Sequence, residues 1–479
     1  MDGRTTGSPG SASRLAGSLG KRHLSMIAIA GVIGAGLFVG SGAAISQAGP
    51  GVLVSYAAAG LLVVLVMRML GEMAAANPDT GSFSAYAERA IGPWAGFSIG
   101  WLYWWFWVVV LGVEATAGAA IVHRWLPGVP QWGWALLLMV ALTVTNLVSV
   151  RSYGEFEFWF ASIKVAAITV FLLVGVVAIA GLLPGFPAPG LSNLTGHQGF
   201  FPNGPGHVFA AMLVVVFSFF GAEIATVAAG ESAHPEQAVR SAVRSVVWRI
   251  LVFYLGSIAV VVTLLPWNDA SVVKSPYVAV LDRIGLPAAG VVMDAIVLTS
   301  VLSCLNSALY TASRMAYSLA VRGDAPKAFG RLSNAKVPVV AVLASTVVGF
   351  VTVFFNYVSP DTVFLFLTNS SGAVAVFVWL VIAFSQLRMR RVLERETSDK
   401  LTLRMWGYPY LTWASIAGMI ALLLGMLFDE GNRSQLAISV AVAVIVVGVG
   451  VWRQRAGRRV TVAEALAPDA AVADRSTAR

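Results

Sequence analysis

Apolar blocks long enough to cross a bilayer recur along this chain from end to end, and they constrain its fold more than any other feature. Crossing about 30 Å of hydrocarbon takes ~20 helical residues. Blocks of that order fall near residues 24–46, 52–75, 94–122, 131–150, 156–183, 207–230, 246–266, 287–318, 337–358, 362–387, 408–428 and 434–452, numbered here as spans 1 to 12. The runs are continuous and lack period-two alternation, which selects helices over the strands of a membrane barrel. Hydrophobic residues make up 58% of the chain and charged residues only 11%, against about a quarter charged in a soluble domain. That is too little polar surface to cover the interior of a soluble protein of this length. The expected fold is an all-α membrane protein of about twelve transmembrane helices.

The formal net charge of +9 does not point to nucleic acid, because the cations sit in short clusters between apolar blocks, as membrane topology places them. With the N-terminus inside, cytoplasmic loops receive groups such as Arg240, Arg244 and Arg249, then Arg322, Lys327 and Arg331, then Arg388, Arg390, Arg391 and Arg395; outer loops hold only Arg124, Lys274, Arg283 and Arg433. This asymmetry predicts an even number of spans, a cell inner-membrane location and both termini in the cytoplasm. The expected organisation is a transporter domain over 23–454 between disordered cytoplasmic tails at 1–22 and 455–479. The single cysteine, Cys304, excludes an intramolecular disulfide and cysteine-rich metal sites.

Two spans read as interrupted helices. Span 1 contains AIAGVIGAGLFVGSG, with Gly31, Gly34, Gly36, Gly40 and Gly42 crowded together; span 6 contains VVVFSFFGAEIATVAAGE, interrupted around Ser218 to Glu223. Each glycine weakens a helix by up to ~1 kcal/mol relative to alanine. Spans 1 and 6 open the two halves of a five-plus-five arrangement, and matching interruptions in two halves mark a transporter binding site. Close helix packing through small residues such as Gly36 and Gly40 is the alternative. At such breaks, free N–H groups at a half-helix N-terminus suit a carboxylate, and free carbonyls suit an ammonium. Val32, Gly34, Ala35, Gly36 and Leu37 are the candidates for the first role, and Phe217, Ser218, Phe220 and Ala222 for the second. Together they can hold a zwitterion without a charged side chain.

Ionisable residues at membrane depth are costly and therefore functional candidates. Lys164, in EFEFWFASIKVAAI, is a candidate for taking up and releasing a proton, or for a fixed ion pair. Glu114 in span 3 and Glu223 beside the second break can meet a substrate amine, pair with Lys164, or accept backbone hydrogen bonds; Asp294 in span 8 is a weaker candidate. Ser300, Ser303, Ser307 and Thr311, with Asn306 beside them, form a polar stripe on span 8 that faces the bundle interior as glue or as pathway lining. Part of the aromatic run WLYWWFW, Trp101 to Trp107, reads as an interfacial belt or as packing against lipid. The five histidines are scattered, so no metal site is expected, and with no nucleotide loop or Ser/His/Asp arrangement neither a cofactor nor enzymatic activity is. A sensor, a channel or an exchanger stays open on these residues alone.

GVIGAGLFVGSG, MRMLGEMAAANPDTGSFSAYAERAIGPWAGF, GEFEFWFASIKV, GAEIATVAAGES, SCLNSALYTASRMAYSLAVRGDAP and RMWGYPYLTW together resemble the amino acid permeases of the amino acid–polyamine–organocation superfamily. Within it, WLYWWFWV, YGEFEFW and GAEI are most similar to the bacterial 4-aminobutyrate (GABA) permeases. The resemblance covers nearly the whole chain outside the tails. It implies a leucine-transporter-like fold, with inverted repeats at about 24–183 and 207–387 and two extra helices at about 408–452. It also implies proton symport of an amino acid by alternating access, with Lys164 at the position where related carriers replace a sodium ion by a lysine. Substrate backbone contacts would fall on Val32, Ala35, Gly36, Phe217, Ser218 and Phe220. Gly36 stands where the GABA permease pattern GVIGASLF has serine, and GVEATAGAA replaces a bulkier PLEANIAA-like run in span 3. The substrate is thus left open between GABA and an α-amino acid, and symport between it and exchange.

Overall fold

The computed structural model describes residues 33–77, 82–148, 151–224, 235–333, 337–396, 401–428 and 430–456; Val32, the expected tail at 1–22 and residues 457–479 of the other tail lie outside the described residues, while Arg455 ends the last helix. All regular structure among the described residues is helical. Among the described residues, eight helices are long and apolar enough to cross a membrane, the first of which, Ala35–Ala76, carries spans 1 and 2. Shorter apolar helices at Gln131–Leu147, Pro205–Phe219 and Tyr410–Gly425 are spans 4, 6 and 11, which completes the expected set. A short amphipathic helix, Ser82–Ala90, joins spans 2 and 3.

The packing follows from which blocks are apolar all round. Span 3 (Pro93–Trp125) is buried over 83% of its most apolar stretch, and span 12 (Glu430–Arg455) over 17%. A helix apolar on every face can serve either as bundle core or as lipid-facing edge. Here the small residues of span 3 decide. Gly112 lies against Thr352 of span 9 and Gly118 against Val301 of span 8, so neighbouring backbones close in on it. Direct packing partners repeat with an offset of five: span 1 on span 6, span 2 on span 7, span 3 on span 8 and span 4 on span 9. That regularity is what a five-plus-five repeat produces.

One expectation is corrected here. Arg249, expected in a cytoplasmic loop, is fully enclosed where helix Pro235–Arg249 passes into the π-helical turn Ile250–Gly256 of span 7. Counting cations at block edges cannot separate a loop residue from one a turn inside.

The loop between spans 10 and 11 is bound to the end of span 2 by a buried carboxylate. Glu72 accepts hydrogen bonds from Gln386 Nε2 at 2.7 Å, from the Met405 N–H at 2.5 Å and from Arg390. Arg390 also bonds Glu394 Oε1 at 2.6 Å and stacks on Tyr408, while Arg68 Nε holds the Arg404 carbonyl at 2.8 Å. Removing one member of a buried pair strands the other, at about 3–5 kcal/mol. Glu72→Ala is therefore expected to lower the unfolding temperature of detergent-solubilised protein strongly. Arg433→Ala, which removes an exposed pair with Glu430 at 3.8 Å, leaves it unchanged.

Candidate functional site

The first break is held by an acid from another span. Span 1 runs as two pieces, Ala35–Phe38 and Gly40–Ala48, and Gly34 before them is extended at φ −140° and ψ −145°. The first N–H groups of a helix have no intrahelical partner. The Ala35 N–H donates to both carboxylate oxygens of Glu114, at 3.1 and 3.0 Å. Glu114 comes from the middle of span 3 and is enclosed. The negative carboxylate and the positive helix end attract each other. Only glycine fits at 34, because a Cβ there would lie 2.5 Å from Glu114 Oε1 and 2.9 Å from Cys304 Sγ.

The second break repeats the device from within its own chain segment. Span 6 is helical over Pro205–Phe219 and then turns out, with Phe220 extended and Gly221 at φ +99°, a value that favours glycine. The Gly221 N–H donates to both oxygens of Glu223, each at 3.0 Å, and Tyr254 donates its hydroxyl to the Ser218 carbonyl at 2.9 Å. The two breaks touch: a Cβ on Gly36 would lie 2.8 Å from Ser218 Cα and 3.3 Å from the Phe217 ring. Leu37 and Ala222 are buried against the same core.

Part of the aromatic run walls this junction. Phe106 stacks on Phe220 at 3.9 Å between ring centroids, with Tyr103 and Trp379 at 5.8 and 5.7 Å from the same ring. The Tyr103 hydroxyl and Trp107 indole N–H are buried without a well-formed hydrogen bond, the hydroxyl beside Glu223. Trp101 and Trp104 face elsewhere, Trp101 donating to the Asp324 carbonyl at 3.1 Å and Trp104 to Ser345 Oγ at 3.0 Å.

Lys164 is 0% exposed. Its Nζ donates to Ser303 Oγ at 2.9 Å, and that hydroxyl donates to Glu157, 2.8 and 2.9 Å from the two carboxylate oxygens. Ser303 thus belongs to the polar stripe's interior face, as Ser300 and Ser307 do by burial. Asn306 looks the other way and accepts from Asn146 Nδ2 of span 4 at 2.7 Å. Glu114 and Cys304 also interact with Lys164. Arg249 lies beside Glu223 and Tyr254. Asp294 is not brought to the breaks; it pairs with Arg124 at 2.5 Å. Sequence reasoning passed over Glu157 and Arg249 as site residues. Both leave a signal in the sequence: Glu157 shares a helical face with Lys164, and Arg249 sits inside the otherwise apolar VVWRILVFYLG.

A helical bundle whose two halves each contribute an interrupted span, with the two breaks in contact at the centre, is the architecture of a secondary transporter. The amino acid permease family pattern matches residues 23–460, and the chain belongs to that family. It is 56% identical over 429 residues to the gamma-aminobutyric acid permease of Bacillus subtilis (strain 168), covering 90% of this chain and 92% of that protein. It is also 55% identical over 423 residues to the gamma-aminobutyric acid permease of Escherichia coli (strain K12), covering 88% and 91%. A crystal structure of a manganese transporter mutant from Eremococcus coleocola superposes with a TM-score of 0.53 at 14% identity, over 94% of this chain and 96% of that one, and shows the shared fold. The protein is a multi-pass membrane transporter of amino acids.

The crowding at Gly34 gives a direct test. Gly34→Ala forces either Glu114 or span 8 away from the first break, an overpacking strain of about 1–3 kcal/mol placed at the site itself. Amino acid binding is expected to weaken about tenfold or more in a scintillation proximity assay, with the variant still eluting as a single species.

Proposed function

We propose that this permease imports GABA, or a related small amino acid, together with a proton by alternating access across the cell inner membrane, with both termini in the cytoplasm. The observation that carries the reading is the contact of the two helix breaks beside a buried lysine. A Cβ on Gly36 would stand 2.8 Å from Ser218 Cα, and Lys164 lies fully buried in span 5. The backbone groups from Gly34 to Leu37 and from Phe217 to Ala222 that Glu114, Glu223 and Tyr254 do not hold, with the Tyr103 hydroxyl and Trp107 N–H beside them, would supply donors and acceptors for a zwitterion. Val32 would extend the first set. Glu114 and Glu223 keep the breaks open by satisfying backbone groups that lipid cannot. Lys164 carries the coupling proton, and the lipid bilayer is the surrounding partner. The GABA permeases of two bacteria, more than half identical to this chain, support the substrate.

A second reading, import or exchange of an α-amino acid, is favoured by Gly36. Its contact with Ser218 has no room for the serine that the GABA permease pattern carries there, so the pocket differs where the substrate backbone would lie. GABA carries its charges at the two ends of a short methylene chain, an α-amino acid on one carbon, and the spacing of the two breaks separates them.

The deciding experiment is uptake of labelled GABA into proteoliposomes under an imposed inward proton gradient, with unlabelled α-amino acids as competitors. Gradient-driven accumulation blocked by GABA analogues is the expected result. Weak GABA uptake with strong competition by one α-amino acid moves the substrate and keeps the mechanism, while binding without accumulation makes the protein a sensor. In the same vesicles Lys164→Ala is expected to lose gradient-driven uptake by about a hundredfold, the scale of a lost proton-transfer group. Gly36→Ser, which must push span 1 off Ser218, is expected to lower uptake overall and to change the ranking of competitors toward GABA in what remains.

A further inference from the structure

Glu157 and Lys164 lie on one face of span 5, two helical turns or about 10 Å apart along the axis. Both are completely enclosed. Between them stands one hydroxyl, Ser303 of span 8, which accepts from Lys164 Nζ at 2.9 Å and donates to Glu157 Oε2 at 2.8 Å. A serine hydroxyl has one hydrogen to give and lone pairs to receive. The order of donors along this row is therefore fixed: ammonium, hydroxyl, carboxylate.

We propose that Glu157 is a second proton-binding site of the carrier, to which Lys164 passes its proton through the Ser303 hydroxyl. The inference rests on the proton-coupled reading above and deepens it. In the transfer one Lys164 N–H bond breaks and its proton forms an O–H bond on Ser303 Oγ. The hydrogen already on Oγ leaves for a Glu157 carboxylate oxygen. The ammonium becomes an amine, the carboxylate becomes a carboxylic acid, and the hydroxyl is regenerated. A buried opposite-charge pair turns into a neutral pair, so no lone charge is stranded in the apolar interior, where one would cost several kcal/mol. Glu157 then releases the proton toward the Arg151 end of span 5, the end that the positive-inside pattern puts in the cytoplasm.

The groups around the row agree with this direction. Ser303 and Ser307 of span 8 face Glu157. Glu114 and Cys304, which border the first break at Gly34, also interact with Lys164. Span 7, also packed on span 5, turns its Tyr254 hydroxyl to the Ser218 carbonyl and its Arg249 toward Glu223. Lys164 thus interacts with both the site acid and the exit acid, and a hydroxyl bridges it to the second.

The test uses the full chain in proteoliposomes loaded with a pH-sensitive dye, with labelled GABA, or the α-amino acid selected by the competition panel, as probe. Two quantities are read: gradient-driven accumulation with the accompanying lumen acidification, and substrate counterflow at equal pH on both sides. In Glu157→Gln and Ser303→Ala, driven accumulation and acidification are expected to fall about a hundredfold while counterflow is retained. Ser303→Thr, which keeps a hydroxyl, restores most of both. Acidification per substrate at the native level in Glu157→Gln overturns the proposal. So does equal loss of counterflow and driven uptake in that variant, which marks a structural role, or identical behaviour of the alanine and threonine variants. Native protein that accumulates substrate without acidifying the lumen removes the proton-coupled reading itself, whatever the variants do.

Discussion

Everything at the centre of this protein depends on one constraint: a backbone polar group inside a bilayer has no water to bond and must find its partner within the protein. Interrupting spans 1 and 6 releases such groups at mid-bundle. Glu114 and Glu223 take one N–H each with both oxygens, which stabilises the unwound backbone at the cost of burying two carboxylates. The buried acids in turn call for cations nearby, and Lys164 and Arg249 answer them from spans 5 and 7. Span 3 has to run through the middle of the bundle to deliver Glu114. Its small residues and its close packing on span 8 follow from that task.

The fold is legible in the sequence because its signals are local. Apolar block length fixes the spans, and the glycine runs at 31–42 and around Gly221 mark the breaks within a few residues. The acids at 114 and 223 and the lysine at 164 stand out as costly residues at membrane depth. Their partners do not, since Ala35 with Glu114, or Lys164 with Ser303, meet across 79 and 139 residues of chain. Nothing in a single sequence reports which faces of two helices oppose each other.

The aromatic run carries a finer signal than its composition suggests. Helical spacing puts Tyr103, Phe106 and Trp107 on one side and Trp101, Trp104 and Trp105 on another. Of the first set, Tyr103 and Phe106 lie against Phe220, Phe106 also against Phe217, and Trp107 packs on both Tyr103 and Phe106, whereas the second set is only half-buried. Composition invites a single role for the whole run, whereas periodicity divides it. Arg249 illustrates the opposite difficulty, because a cation one turn inside a span has the same sequence surroundings as one just outside it.

Cys304 has a consequence of another kind. It is the chain's single thiol, and its sulfur borders the space that Gly34 leaves empty between span 8 and the first break. Any adduct on that sulfur, whether an alkyl group, a nitroxide or a fluorophore, occupies volume that span 1 needs in order to keep Ala35 on Glu114. The carrier is therefore built with its one thiol enclosed beside its most constrained turn. A buried thiol is inert, so reaction at that sulfur would report the parting of span 8 from the first break, with no background cysteine to confuse the signal.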